Sequence, residues 1–484
     1  MTPQRRALER ALKDVDARLH GRPTSIELLF ERARLLDRLG RLDEARLAYV
    51  EILQRDAAHF GALNNLGMLL FAAGRRDEAF TCFNAVVAKH PRNPIGHANL
   101  GLVLLRGGEA QLAREHYELA VQLDPANAEN RRGLALALEA LGDASTAREH
   151  REMGFAGQPL MELPYRGEGV PIRVLLLVSS GPGNVPADRF LDDRVFAVSK
   201  LIAEYYDESV TLPQCDVAFN AIGDADVAQT ALRAACAVVD RLRIPTINVP
   251  AAVATTGRAD NGARLAGIAG AVVPRNVKLA RRSLTGSDAV ERLAARGLSF
   301  PLLLRSPGFH TGMHFERVET AADLAAVAVG LPGEELLAIE YVDTRGFDGN
   351  VRKYRAMFVG GAIYPLHLAI SARWKVHYFS ADMADNARHR AEEEAYLSDM
   401  AAHLGPSVIG ALQEVERRLG LDYAGVDFTV DAAGNAVIFE ANATMIVPVA
   451  EEDPRWAYRR RSIERIEAAV RAMLLAKTTQ LRPA

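Results

Sequence analysis

Four glycines in the first third of the chain, Gly40, Gly74, Gly108 and Gly142, stand 34 residues apart. Ala45, Ala79, Ala113 and Ala147 keep the same interval, as do Tyr49, Phe83 and Tyr117, and Ala33, Gly67, Gly101 and Ala135. Pro91 and Pro125 close two of the units. Such a period means one short supersecondary unit stacked on copies of itself, because a single copy cannot bury its apolar face alone. The residue types fit a helix pair. Small residues let the first helix approach the second, the glycine turns the chain between them, and the aromatic fills the gap to the next pair.

These places match the small, aromatic and proline positions of the tetratricopeptide repeat. Residues 26–155 resemble that family, with Arg151 standing where the fourth unit's aromatic is expected. The resemblance implies an all-α superhelix over 1–155 whose concave face holds a peptide or protein. The alternative is a dimerisation module, giving a homodimer, or a packing module. Asn64, Asn65, His97 and Asn99 are polar positions on first helices that either line the groove or are simply solvated. The stretch 156–170, AGQPLMELPYRGEGV, is punctuated by proline and glycine and reads as a linker.

A chain of 484 residues has room for about three domains. The formal charge of −3 supplies no basic field for nucleic acid. There is no apolar run of about 18 residues to span a membrane, and the N-terminus lacks the apolar core of a signal peptide. Cys82, Cys215 and Cys236 have no metal or redox spacing and read as small core residues. A reduced, cytoplasmic protein is expected, with no nucleic-acid or membrane partner.

After the linker, IRVLLLV (172–178) is a continuous apolar run, as in a strand buried on both faces. Further strands are expected over 216–222 and 246–249 with a helix over 227–242 between them, a parallel α/β unit spanning 171–275. The loop SSGPGN after the first strand is either a ligand-contacting loop, with Gly181, Gly183 and Asn184 as candidates, or a plain strand-to-helix turn. It is not G-x-G-x-x-G, which weighs against a dinucleotide site.

Near the C-terminus, GVDFTVDAAGNAVIFEANAT reads as a β-hairpin turning at Ala433-Gly434-Asn435. Alternation puts Glu440 and Asn442 on one face, within reach of Asp427 on the partner strand. Two carboxylates and an amide oxygen form a hard-oxygen set suited to Mg²⁺ held with nucleotide phosphates. Upstream, FPLLLR (300–305) is a strand ending in Arg305, followed by a glycine loop, 306–313, that includes His310 and Gly312. LLAIEYV (336–342) is another apolar strand. Beyond a turn at Asp348-Gly349, Lys353 and Arg355 share one face of a strand. His367, Arg373, Trp374, Lys375 and His377 follow as candidates for an acceptor pocket or anion site, and 381–396 reads as a charged helix, either a lid or a solvated surface.

With Asp427 followed by Glu440-x-Asn442, this half of the chain resembles the ATP-grasp superfamily over about 171–475. The closing hairpin looks especially like the carboxylate–amine ligases that add amino acids to proteins or peptides. The resemblance implies an α/β pre-ATP-grasp domain (171–275) that helps bind acceptor, then an α+β ATP-grasp domain (276–476), so that the fold class is multi-domain. It implies ATP and Mg²⁺ as cofactors, with Asp427, Glu440 and Asn442 on the metal. Arg305, Arg258, His310 and Gly312 would lie at the phosphates, with Arg in both basic places where the family usually has Lys. The backbone of Glu340, Tyr341 and Val342 would meet the adenine edge. Arg355, with Lys353 the second choice, would face the phosphoryl group in transfer. The expected function is amide-bond ligation through an acyl-phosphate, from a carboxylate and an amine, with the repeats recruiting a peptide or protein. The alternatives are a non-catalytic nucleotide-sensing adaptor and an ATP-dependent phosphotransferase.

Overall fold

The computed structural model describes residues 3–307, 312–377 and 381–479. The chain divides into two compact units, Met1–Pro159 and Leu160–Ala484.

The first unit is helical. Helix α1 (Pro3–Gly21) precedes four pairs: α2 (Ile26–Arg38) with α3 (Leu42–Arg55), α4 (Phe60–Ala72) with α5 (Arg76–Lys89), α6 (Pro94–Arg106) with α7 (Ala110–Leu123), and α8 (Ala128–Ala140) with α9 (Ala144–Phe155). Each of the four periodic glycines has a left-handed φ, between +74° and +84°, at the turn inside its pair, a conformation that glycine adopts without a Cβ clash. Ala45, Ala79, Ala113 and Ala147 are wholly buried. The ring of Phe83 fills the space left by Gly67, where a Cβ would come within 2.7 Å of it. A further periodic position did not stand out in the sequence. Ser25, His59, Asn93 and Asn127 cap the first helix of each pair by accepting a backbone N–H. Arg151 stands in for the missing aromatic by pairing with Glu139 at 2.8 Å.

Of the polar residues expected in the groove, Asn99 donates to Asn64 (2.7 Å) and Asn65 to the Tyr49 hydroxyl (3.1 Å). His97 is not there. It is buried, with Nε2 3.0 Å from the Pro91 carbonyl and Nδ1 3.0 Å from Nδ1 of His116. Two residues from Asn99 on α6, it lies about 200° around the helix from it and meets His116 of α7 instead.

Among the described residues the second unit contains three sheets. The first has the order β1-β3-β2-β4-β5, with strands β1 (Leu160–Glu162), β2 (Ile172–Val178), β3 (Phe196–Ile202), β4 (Val217–Asn220) and β5 (Thr246–Ile247). Strands β2 to β5 are parallel and β1 is antiparallel to β3. β1 lies inside the stretch read as a linker. Its Glu162 accepts a hydrogen bond from Ser199 at 2.8 Å, so the second unit begins at Leu160 and the linker is shorter than expected. The second sheet, β7-β10-β8-β9, is built from β7 (Asn276–Ala280), β8 (Leu302–Arg305), β9 (Phe315–Val318) and β10 (Glu335–Glu340). The third has the order β12-β11-β13-β14-β6, from β6 (Ala271–Val272), β11 (Val351–Val359), β12 (Ala362–Ser371), β13 (Tyr423–Val430) and β14 (Ala436–Asn442).

One apolar core runs from Leu175 and Leu177 in the first sheet to Phe358, Leu368 and Phe428 in the third, while β7 to β10 cover a smaller core of their own around Leu304 and Leu336. The charged stretch after β12 is helical from Ala387 and is solvated on one side only. Helix Ala387–Ser398 buries Glu393, Tyr396 and Leu397, with Glu393 accepting the Leu368 N–H. Among the described residues, no helix is long and apolar enough to cross a membrane.

Candidate functional site

A cavity of about 740 Å³ opens in the second unit, lined by β8 to β10, by the third sheet and by the loop after β2. Its centre is one transverse row of the third sheet. His367 on β12 is in register with Arg355 on β11, Arg355 with Asp427 on β13, and Asp427 with Glu440 on β14. Residues paired in this way point to the same face, so the row presents four side chains to the cavity. Lys353 and Arg355 share that face because they are two apart.

The row is tightly cross-linked. Arg355 grips Asp427 with two prongs, Nε to Oδ1 at 2.5 Å and Nη2 to Oδ2 at 2.8 Å, and Lys353 Nζ reaches Oδ2 at 2.6 Å. Burial works to raise the Asp427 carboxyl, but the Arg355 and Lys353 charges overcome it and hold the group far below the usual carboxylate range. Glu440 faces the same contest. Burial raises it, and the Arg258 and Arg305 charges bring it down to about 2. Arg258 Nη2 lies 2.7 Å from Glu440, while Nη1 lies 2.9 Å from Asp226 and 3.9 Å from Asp224. Asp224 and Asp226 follow β4 and were not singled out in the sequence. Their D-x-D spacing after a strand was the available signal.

A β-bulge alters the hairpin between these residues. Asp427 pairs with Glu440 but Phe428 pairs with Ile438, leaving Phe439 unpaired and half-exposed on the cavity wall. Bulges re-aim side chains in this way, and Phe439 too was missed.

Other expected residues are distributed as follows. Arg305 lines the cavity with its guanidinium 5.7 Å over the Phe315 ring. Tyr341 lies under the Arg317 guanidinium at 4.1 Å and edge-on to Trp374, which also meets Phe315. Lys375 donates to the Phe315 carbonyl at 2.8 Å, tying the loop after β12 to β9. Gly183, Gly312, Val342, Arg373 and His377 are on the wall as well. Burial, followed by the Arg355 charge, drives the His367 imidazole well below its ordinary range, so it stays neutral. His377 is lowered too, first by burial and then by Lys353.

Four expectations are corrected, each because an internal partner already holds the group. Asn442 is not on the wall. Its Oδ1 accepts from the Thr444 N–H and hydroxyl and its Nδ2 donates to Glu440, so it braces the carboxylate. Asn184 is on the wall, but its amide closes its own loop, accepting from Ser179 N and donating to the Ser179 and Gly181 carbonyls. Gly181 lies off the wall, its N–H held by the Ser179 hydroxyl. The Glu340 N–H is taken by the Arg275 carbonyl at 2.8 Å, which removes that donor from the expected hinge. His310 lies outside the described residues.

The charge balance of the wall fits a polyanion. Among its described residues, six cations (Arg258, Arg305, Lys353, Arg355, Arg373 and Lys375) face three carboxylates (Glu340, Asp427 and Glu440). Arg258 Nε, Asn261 Oδ1 and Asn276 Oδ1 are buried on this wall without a hydrogen-bond partner, the condition of groups that a ligand or ordered water satisfies. For Mg²⁺ the donor types fit, because Asp427 and Glu440 are hard oxygen ligands on adjacent strands. Among the described residues no three His, Cys, Asp or Glu side chains cluster to hold a metal by themselves, so phosphate oxygens would have to complete its shell.

Residues 64–128 match the tetratricopeptide repeat family model. Over 31% of its length the chain is similar to the solved structure of MamA residues 41 to the end from Desulfovibrio magneticus RS-1, at 24% identity, covering 86% of that chain with a TM-score of 0.29. The MamA RS-1 ArsTM double mutant gives 24% identity, 85% coverage and a TM-score of 0.30. A tetratricopeptide repeat protein from Parabacteroides merdae ATCC 43184 gives 18%, 60% and 0.29. No curated protein sequence matches the chain. The helix pairs within 64–128 are repeats of the tetratricopeptide type, a fold suited to protein interaction, and the same 34-residue period runs through the neighbouring pairs.

Proposed function

We propose that this chain is an ATP-dependent carboxylate–amine ligase of the ATP-grasp kind, with its repeat unit recruiting a peptide or protein substrate. The observation that carries the reading is the row Arg355–Asp427–Glu440, flanked by Arg258, Arg305 and Lys353, on the wall of a cavity with twice as many cations as carboxylates. Phosphoryl transfer requires positioning and neutralisation of charge more than a protein nucleophile, and this wall offers fixed guanidinium forks that match phosphate oxygens. Asp427 and Glu440 would hold Mg²⁺, with Asn442 steadying Glu440; bound there, the metal screens the charge on the phosphates.

Arg258 and Arg305 bind and orient the nucleotide's phosphates. Arg355 and Lys353 neutralise charge that develops as a substrate carboxylate oxygen bonds to the γ-phosphorus and the bond to ADP breaks. An amine then attacks the acyl carbon and phosphate leaves. Tyr341, Trp374 and Phe439 wall off water, and neutral His367 lies beside Arg355 without adding a competing charge. A nucleotide-sensing adaptor is the second reading, favoured by the engagement of both Asp427 oxygens with Arg355 and Lys353.

ADP release from the full chain, with Mg-ATP, hydroxylamine and a panel of amino acids and peptides, separates the two readings. A ligase yields a hydroxamate with one carboxylate and loses it in Glu440→Gln. Nucleotide binding with no ADP and no hydroxamate across the panel supports the adaptor, and a product that retains phosphate marks a phosphotransferase.

A further inference from the structure

We propose that Lys353, Arg355 and Arg258 are built-in counter-ions that keep the site closed to free divalent metal, so that metal enters only together with a polyphosphate. This rests on the reading above that Asp427 and Glu440 are the metal-holding carboxylates.

The geometry is specific. Both carboxylates of the row already have a cation within contact distance, Asp427 with Arg355 at 2.5 Å and Lys353 at 2.6 Å and Glu440 with Arg258 at 2.7 Å, and Arg258 also holds Asp226 of the loop after β4 at 2.9 Å. With Arg305, which acts on Glu440 from nearby, four cations balance Asp224, Asp226, Asp427 and Glu440. These four carboxylates are thus neutralised before any ligand arrives, so a divalent cation alone meets no net negative charge there. It must also displace a two-pronged guanidinium, whose hydrogen bonds to a carboxylate are among the strong ones.

A polyphosphate changes the balance. Its oxygens suit the guanidinium fork as well as a carboxylate does, and Lys353 and Arg355 are each about one-fifth exposed to the cavity, so they have room to turn towards it. Arg258 Nε, buried on the wall without a partner, is a donor that the carboxylates leave unused. As the cations move to phosphate, the lone pairs of the already ionised Asp427 and Glu440 become free for a metal. The coupling is reciprocal, so the metal strengthens nucleotide binding by the same factor.

Mn²⁺ binding to the full chain, read by electron paramagnetic resonance with and without a non-hydrolysable ATP analogue, tests this. Mn²⁺ alone should bind at least tenfold more weakly than with the analogue, and the analogue should bind in EDTA. Lys353→Met should raise the affinity for Mn²⁺ alone several-fold and weaken the analogue in EDTA. Arg258→Met should act in the same direction, and a thermal melt checks that both variants are folded. Equal Mn²⁺ affinity with and without the analogue, or Mn²⁺-only affinity unchanged in both folded variants, overturns the proposal while leaving the nucleotide reading intact. No analogue binding in any condition overturns the nucleotide reading itself, and this proposal with it.

Discussion

Arg355 and Asp427 face each other across β11 and β13 in a two-pronged ion pair, and the Arg355 carbonyl is held from behind by the Tyr396 hydroxyl at 2.9 Å. Removing one member of such a buried pair leaves an uncompensated charge, at about 3–5 kcal/mol. Because Lys353 also touches Asp427, Arg355→Met should lie at the low end, about 3 kcal/mol by urea denaturation. The double variant Arg355→Met/Asp427→Asn removes the stranded charge and should recover most of that stability, with no return of ADP release. A double variant as unstable as the single one would show that Arg355 acts through packing rather than charge.

Glu393 supports the same row from beneath. It is wholly buried, with Arg459 at 2.7 Å, the Tyr458 hydroxyl at 2.5 Å and the Leu368 N–H at 3.2 Å. Two separate segments, 458–459 and β12, thus converge on one carboxylate beside the strand that carries His367. Glu393→Ala strands Arg459 in the interior and should lower stability by about 3–5 kcal/mol. Glu393→Gln keeps an acceptor and should lose less, about 1.5–3 kcal/mol. The Arg459 guanidinium stacks 3.8 Å from the Trp456 ring, so Trp456 fluorescence reports this local environment during the melt.

What was legible in the sequence follows from the range over which each signal acts. The 34-residue interval was plain because small and aromatic residues such as Ala79, Phe83 and Gly67 have counterparts at the same places in successive units, so the pattern is written repeatedly. The opposition of Asp427 and Glu440 was within reach because a hairpin's register is local and its faces alternate. Asp224 and Asp226 were not, since their pairing with Arg258 joins a loop after one sheet to a helix more than thirty residues on. Phe439 faces the cavity only because a bulge breaks the alternation on which the reading relied. Asn442, Asn184 and His97 had suitable chemistry, but which atom already had a partner depended on Thr444, Ser179 and His116, and spacing does not carry that information.

His367 gives a pH signature. An unfolded histidine takes its proton near pH 6.5, whereas burial and the neighbouring Arg355 hold the folded imidazole well below that. Below about pH 6.5 the unfolded chain therefore binds the extra proton, and stability falls as pH drops. One such group contributes at most about 1.4 kcal/mol per pH unit. His377 and His403 are lowered as well, first by burial, and act with the same sign, so the difference between proteins isolates His367. Between pH 6.5 and 5, His367→Gln should show a shallower loss of urea stability than wild type by up to one proton's worth of slope. Parallel profiles would mean that His367 is charged in the folded protein.

The repeat unit permits a test of packing that is independent of the cavity. The buried ring of Tyr117 lies between two glycines: a Cβ on Gly101 would sit 3.0 Å from it, and one on Gly133 would sit 2.1 Å away. Gly133→Ala has helix propensity in its favour by about 1 kcal/mol. It also forces the ring towards Gly101, and overpacking of this kind costs about 1–3 kcal/mol. The second effect should win, because the ring has no free side to move into, and the helical signal should melt earlier by circular dichroism. Tyr117→Leu in the same chain removes the clash, so the double variant should melt above the sum of the two single effects. Strict additivity would mean that the glycine is there for the backbone and not for the ring.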